Sequence, residues 1–367
     1  MNLFISSFKR LMALGTGNSG SPPANWRTFL KTTLLTFIGG VVAVYALILV
    51  IDPYDVVWFS PPLARKPVST NQRYSYPAFA RDVAFDSVII GTSTARLIKP
   101  ERLNTHFGAK FANLAMNSAT AYEQSKILKL FLRHHPKPRC VIIAIDTVWA
   151  QSGSDDQKYT FRPFPEWMYD DLGGVALIRL LNLETVQQSV RQLRYLSGLR
   201  PPRFGYDGYE IFVPDQSQYD LAKARKKIYG SPQPRVRQPV QEKAIDNTQW
   251  SFPAHLLLQE ILEQIPQETM KIILFVPYHI YNQPLENTSD HARWSSCKQQ
   301  ITKMSSGLQN VVVLDFMIES KITCVDENYW DPLHCTVAVG EQLSDLIYEG
   351  ASQKKDKVGY YLVLNKP

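Results

Sequence analysis

Several patterns that mark common chemistries are missing from this chain. No glycine-rich loop of the phosphate-cradling type is present, which excludes the usual strand–loop–helix nucleotide site. Cys140, Cys297, Cys324 and Cys335 are the only cysteines, and neither they nor the histidines show metal-ligand spacing, so no metal and no cofactor is expected. No motif recurs with a period of about 20–50 residues, which excludes a repeat architecture. Acidic residues are absent from positions 1–28, and charge of either sign is absent from Thr32 to Ile51.

That uncharged stretch is long enough to cross a bilayer at about 1.5 Å per residue. Lys9, Arg10 and Arg27 precede it, and Asp52 and Asp55 follow. A buried core helix of this length would carry some polar face. A cleaved leader would have a shorter apolar region and small residues at the cut, whereas this one runs into Ile51-Asp52-Pro53-Tyr54. The expectation is an uncleaved anchor over residues 29–52 in the inner (cytoplasmic) membrane. By the positive-inside rule, residues 1–28 form a cytoplasmic tail and the large domain lies outside, in the periplasm. The net charge of +7 is spread along the chain, and with an exported domain it points to solvated faces rather than a nucleic-acid partner.

Beyond the anchor, residues 53–85 are rich in Pro, Ser and aromatics and read as a stalk. Five short apolar runs then recur: Ser87–Ile90, Lys110–Leu114, Cys140–Ile145, Lys271–Val276 and Asn310–Asp315. Helical patterning between them predicts a three-layer α/β/α fold on a five-stranded parallel sheet. Thr120-Ala-Tyr-Glu123 has the form of a capping box opening a helix. Ala338–Ile347 is the last expected helix, and residues 351–367 read as a tail. Residues 151–250 form an insertion too long for a simple crossover. In it, Leu177–Leu199 reads as a helix whose apolar side is Leu180, Leu181, Leu183, Val186, Val190 and Leu193. The rest, including Arg203, Tyr206 and Tyr209, reads equally as a segment that shapes a substrate site and as a decorative surface loop.

The stretch Asp86-Ser-Val-Ile-Ile-Gly-Thr-Ser-Thr-Ala-Arg-Leu97 places Ser93 just past the first strand, at the carboxyl edge where open α/β sheets bind ligands. Read alone, Gly91-Thr92-Ser93 is equally a helix-capping turn. Near the other end of the domain stands Asp331-Pro-Leu-His334. A hydroxyl nucleophile needs a base within hydrogen-bond reach and a carboxylate to orient that base, and D-x-x-H supplies both from one short segment. Asp146 and Trp149 end the third strand, and His279 ends the fourth, at the same edge. Cys324 and Cys335 bracket the Asp331/His334 loop. A bridge between them would hold that loop, with Cys297 as a competing partner.

On these residues the chain resembles the membrane-anchored members of the SGNH (GDSL-like) hydrolase superfamily. These include proteins of alginate O-acetylation and teichoic-acid D-alanylation. The resemblance covers roughly residues 86–150 and 270–348. It implies an SGNH-like (flavodoxin-like) domain over residues 86–350, Ser93 as nucleophile, His334 as base and Asp331 as orienter. The family's second block carries a glycine whose N–H binds the oxyanion; Ser118 stands at that place, beside Asn117. Its third block carries an asparagine donor, and here the chain reads Ile145-Asp146-Thr147-Val148-Trp149 instead. The resemblance further implies an esterase or O-acyltransferase acting on an acylated glycan or acyl donor, beside a membrane-bound O-acyltransferase. An inactive binding or assembly subunit is the alternative.

Overall fold

The computed structural model describes residues 25–65, 68–69, 71–152, 157–170, 174–202, 204–240 and 250–366. Lys9, Arg10 and Arg203, and parts of the insertion, lie outside the described residues. The chain separates into two units, one up to Val50 and one from Ile51 to Pro367.

The first unit is dominated by helix α1 (Trp26–Ile51). It is 26 residues long, and its most apolar 18-residue stretch has a mean hydropathy of 2.7. Leu34, Leu35, Phe37 and Val42 are uncovered by protein, so this helix is apolar all round and long enough to span a bilayer.

The second unit contains α2 (Gln72–Arg81), β1 (Ser87–Ile90), α3 (Pro100–Phe107), β2 (Phe111–Asn113), α4 (Ala121–His134) and β3 (Cys140–Ile145). The insertion adds α5 (Gly174–Arg179), α6 (Leu183–Leu196) and α7 (Leu221–Tyr229). Then come α8 (Pro253–Gln264), β4 (Met270–Phe275), α9 (Ser289–Ser305), β5 (Val311–Asp315), α10 (Val337–Gln353) and β6 (Leu362–Val363). The sheet order is β2-β1-β3-β4-β5-β6. The first five strands are parallel and β6 is antiparallel to β5. The sheet is therefore mixed and six-stranded, not the five-stranded parallel sheet expected.

The inner strands are β-branched and fully covered: Val88, Ile89 and Ile90 are wholly buried, as are Val141 to Ile145. Such runs suit a sheet with helices on both faces. Helices α2, α4 and α8 form one packed group, and α3 packs with α10. Right-handed crossovers put helices on opposite faces, because the chain steps one way along the sheet from β1 to β2 and the other way from β3 onward.

Three expectations need correction. Residues 72–81 are not a stalk. They form α2, and Tyr76, Phe79 and Ala80 are buried, with α2 packed on α4. The tail beyond residue 350 is not loose. Asn365 accepts the Val313 N–H at 2.7 Å and donates to the Val311 carbonyl at 3.1 Å, which seats β6 on the sheet. The third concerns Leu177–Leu199, which is two helices rather than one. In α6 the buried side chains are Thr185, Gln188, Ser189 and Gln192, while Leu183, Val190 and Leu193 are exposed. Periodicity finds an apolar stripe correctly but does not say which way it faces.

Candidate active site

β1 delivers the chain to Gly91. A Cβ there would stand 2.9 Å from the Cβ atoms of both Ala144 and Ala95, so only glycine lets the turn fold back against β3. Thr92 caps the short 3-10 turn Ser93–Ala95, and its hydroxyl donates to the Asp146 carboxylate. Ser93 is thereby held at the strand's carboxyl end, half-buried.

His334 Nε2 lies 2.8 Å from Ser93 Oγ across 241 residues of chain. Its Nδ1 lies 2.8 Å from Asp331 Oδ2. The carboxylate on Nδ1 selects the tautomer protonated there and leaves Nε2 as an acceptor for the serine hydroxyl. Asp331 Oδ1 also accepts the Leu333 and His334 backbone N–H groups at 2.9 and 3.0 Å, so the spacing of D-x-x-H is a self-bonded turn. Burial works to raise the Asp331 pKa, but its hydrogen bonds to His334 and to these amides outweigh that and hold it below the ordinary value.

The turn is held from outside. The His279 N–H donates to the Pro332 carbonyl at 3.0 Å, and the Tyr329 hydroxyl to the Pro277 carbonyl at 3.1 Å. From the insertion, the Tyr219 hydroxyl donates to the carbonyls of Asp326 and Tyr329, and α7 brings Arg225 Nε to 2.6 Å from Asp326. A bridge between Cys324 and Cys335 is not formed, and all four cysteines are free. Backbone pairing of Tyr329 with Cys335 closes the loop instead.

The second loop runs beside the first. Leu114 N–H donates to Ile89 O at 2.8 Å and Met116 N–H to Gly91 O at 3.0 Å. Two residues on, Ser118 adopts φ +52°, the left-handed region that favours glycine. Among the described residues, neither the Ser93 nor the Ser118 backbone N–H has an intramolecular acceptor. Asn117 is tied down: its Oδ1 accepts from Arg96 at 2.8 Å, and its carbonyl from Arg73 at 3.2 Å. Arg73 is itself fully buried in an ion pair with Glu123, Nε to Oε1 2.9 Å. The same Glu123 completes the capping box with Thr120.

Two residues expected in the pocket do other work. Asp146 is buried behind the Ser93 turn, where Thr92 and the Val148 N–H bind it, and desolvation raises its pKa. His279 is wholly buried and turned away. Its Nδ1 accepts the Tyr281 N–H and its Nε2 meets Asp326 at 3.1 Å, because Asp326 collects His279, Arg225 and Tyr229 together.

Sequence reasoning missed Arg96, Glu210 and Phe212. Arg96 follows the Ser93 turn, forms a buried ion pair with Glu210 and lies 4.6 Å above the centre of the Phe212 ring. Phe212 meets the His334 ring edge-on, with centroids 5.2 Å apart. The insertion is brought here by Gly208 (φ +78°), whose position would put a Cβ 2.3 Å from the Asn113 carbonyl oxygen. Asn113 N–H donates to Asp207 O at 2.7 Å, and the Tyr76 hydroxyl to Gly208 O at 3.0 Å. Tyr206 faces elsewhere, into a cavity shared with Tyr54, Arg65 and Phe79. The one sequence signal for Arg96 is its place three residues after Ser93.

Comparison with family models and with curated proteins finds no match for the chain.

Proposed function

We propose that this chain is a membrane-anchored serine esterase or O-acyltransferase of the SGNH type, acting on acyl esters of cell-envelope polysaccharide. The observation that carries the reading is Ser93 Oγ at 2.8 Å from His334 Nε2, with Asp331 on the opposite ring nitrogen. Ser93 Oγ attacks the ester carbonyl carbon while its proton passes to His334 Nε2. The oxyanion is received by the Ser93 and Ser118 N–H groups. Collapse breaks the C–O bond, and the leaving alcohol takes the proton from His334, which leaves an acyl-serine. A second oxygen nucleophile then attacks the acyl carbon as His334 removes its proton, and collapse breaks the bond to Ser93 Oγ, which takes that proton back from His334. Water gives an esterase. A sugar hydroxyl gives a transferase, with a membrane-bound O-acyltransferase as the supplier of acyl groups.

The test is labelling of the full-length protein with a fluorophosphonate, read by intact mass and peptide mapping. An adduct on Ser93 that is lost in Ser93→Ala supports the enzyme. A folded protein that forms no adduct overturns it. The rival reading, an assembly subunit of an envelope complex, draws on the third loop, where Asp146 stands in place of an asparagine donor and is occupied by the Thr92 hydroxyl. That reading expects no adduct.

The proposed orientation, with the large domain outside the cytoplasm, rests on the basic flank before α1 and the acids after it. Alkaline phosphatase fused to the C-terminus is expected to be active. Activity only from a cytoplasmic reporter fused there would reverse the orientation.

A further inference from the structure

The inverted burial of α6 leaves a surface that the catalytic reading does not use. At about 100° per residue, its side chains divide into three strips. Thr185, Gln188, Ser189 and Gln192 form the buried strip. Leu183, Val186, Val190 and Leu193 form an apolar strip on the outer side, with Leu183 72% exposed. Arg191 and Arg194 lie on the remaining strip, beside Gln187 and Glu184. Ile178 at the end of α5 and Leu199 just past α6 are further exposed apolar side chains on either side of α6 in the sequence, both more than 70% exposed. Arg179 and Arg200 flank them. Single exposed leucines need no explanation, but a contiguous apolar strip edged with arginine does.

Its place in the chain identifies what covers it. The Tyr54 hydroxyl lies beside the Thr185 hydroxyl on the buried side of this helix, with Glu184 and Arg191 close by. Tyr54 is three residues past Ile51, the last residue of the apolar helix α1. The following turn exposes Trp58 and Phe59, packed edge to face at 5.1 Å. Exposed aromatics just outside a span are typical of the headgroup layer. An apolar strip beside a basic strip is the pattern of a helix lying in that layer.

We infer that α6, with Ile178, Leu199 and the Trp58–Phe59 pair, rests in the membrane interface as a second contact with the bilayer. Leu183, Val186, Val190 and Leu193 enter the acyl boundary, and Arg191 and Arg194 meet anionic headgroups. The anchor alone would leave the domain free to swing on its tether. The second contact fixes the domain's height and tilt above the lipid. It is independent of the chemistry at Ser93 and of which side of the membrane the domain occupies.

The test uses the full chain in vesicles of phosphatidylcholine and phosphatidylglycerol, with Cys324→Ser removing the exposed native thiol. Leu193→Cys and, separately, Val190→Cys carry an environment-sensitive fluorophore. Val358→Cys, in an exposed C-terminal turn, is the reference. Lipids bearing a nitroxide on the acyl chain are expected to quench the probes at 190 and 193 several-fold more than the probe at 358, with a blue shift relative to detergent. Probes quenched by aqueous iodide and not by the lipid nitroxide overturn the proposal. Probes shielded from both, together with a cross-linked dimer, assign the strip to a second copy of the chain and overturn it equally.

Discussion

Arg96 and Glu210, 114 residues apart in sequence, close a buried ion pair three residues from the Ser93 hydroxyl. The guanidinium also holds Asn117 and covers Phe212, so one side chain joins the Ser93 turn, the second loop and the insertion. Breaking a buried pair from one side strands the other charge. Arg96→Ala is expected to cost about 3–5 kcal/mol, whereas Arg96→Met with Glu210→Leu recovers most of that. Denaturant unfolding of the wild type and the two variants decides it. Even if stability returns, Ser93 labelling in the double variant should stay slower, because Asn117 and Phe212 lose their support.

In the proposed mechanism Ser93 and Asp331 differ in cost. Ser93→Ala should abolish the fluorophosphonate adduct. Asp331→Asn should keep the turn but favour the wrong histidine tautomer, slowing labelling by about 10⁴-fold. Equal labelling rates for wild type and Asp331→Asn would show that the carboxylate does not orient the ring.

Gly208 is where the insertion meets the sheet. Gly208→Ala would place a methyl against the Asn113 carbonyl at a positive φ, costing about 1–3 kcal/mol. Phe212 is four residues on, so labelling at Ser93 should slow as well. Thermal unfolding and labelling rate, measured on the same sample, should fall together.

His279 sets a pH dependence. Burial lowers its pKa below the ordinary 6.5, although Asp326 opposes this; Arg225, Tyr229, Tyr281 and Tyr329 also face this cluster. The unfolded chain therefore binds more protons than the folded one just below 6.5. Stability rises with pH through that window and is lost as the pH falls through it. Replacement by glutamine, His279→Gln, should flatten the melting temperature between about pH 5 and about pH 7. An unchanged slope would assign the acid sensitivity to other groups.

The residues legible from sequence were those whose neighbours along the chain carry the information. Ser93 follows a β-branched run and a glycine, Asp331 and His334 bond within one turn, and Thr120 and Glu123 cap their own helix. The five parallel strands were visible because both faces of each are covered and the runs are continuous. Glu210 and Phe212 were not visible. They lie in a stretch without periodicity, and their partners are more than a hundred residues away. The buried faces of Asp146 and His279 were hidden for a related reason. A strand-end position shows that a side chain is near the carboxyl edge, but its direction depends on Thr92 and Asp326, which come from other segments. β6 escaped notice because two residues carry no pattern.

Among the described residues, both margins of the parallel run are at least partly covered. The Asn113 N–H of β2 is taken by Asp207, and β5 is covered by the two residues of β6. Bare margins recruit strands from neighbouring molecules, and a very short final strand is one of the ways proteins prevent it. The strand that protects β5 is also the last part of the sheet to be synthesised. A nascent chain that has reached Gln353 can complete every other pairing and still offer β5 to its neighbours. Truncation after residue 355 should therefore yield a protein that self-associates through β5 before it loses the Ser93 site.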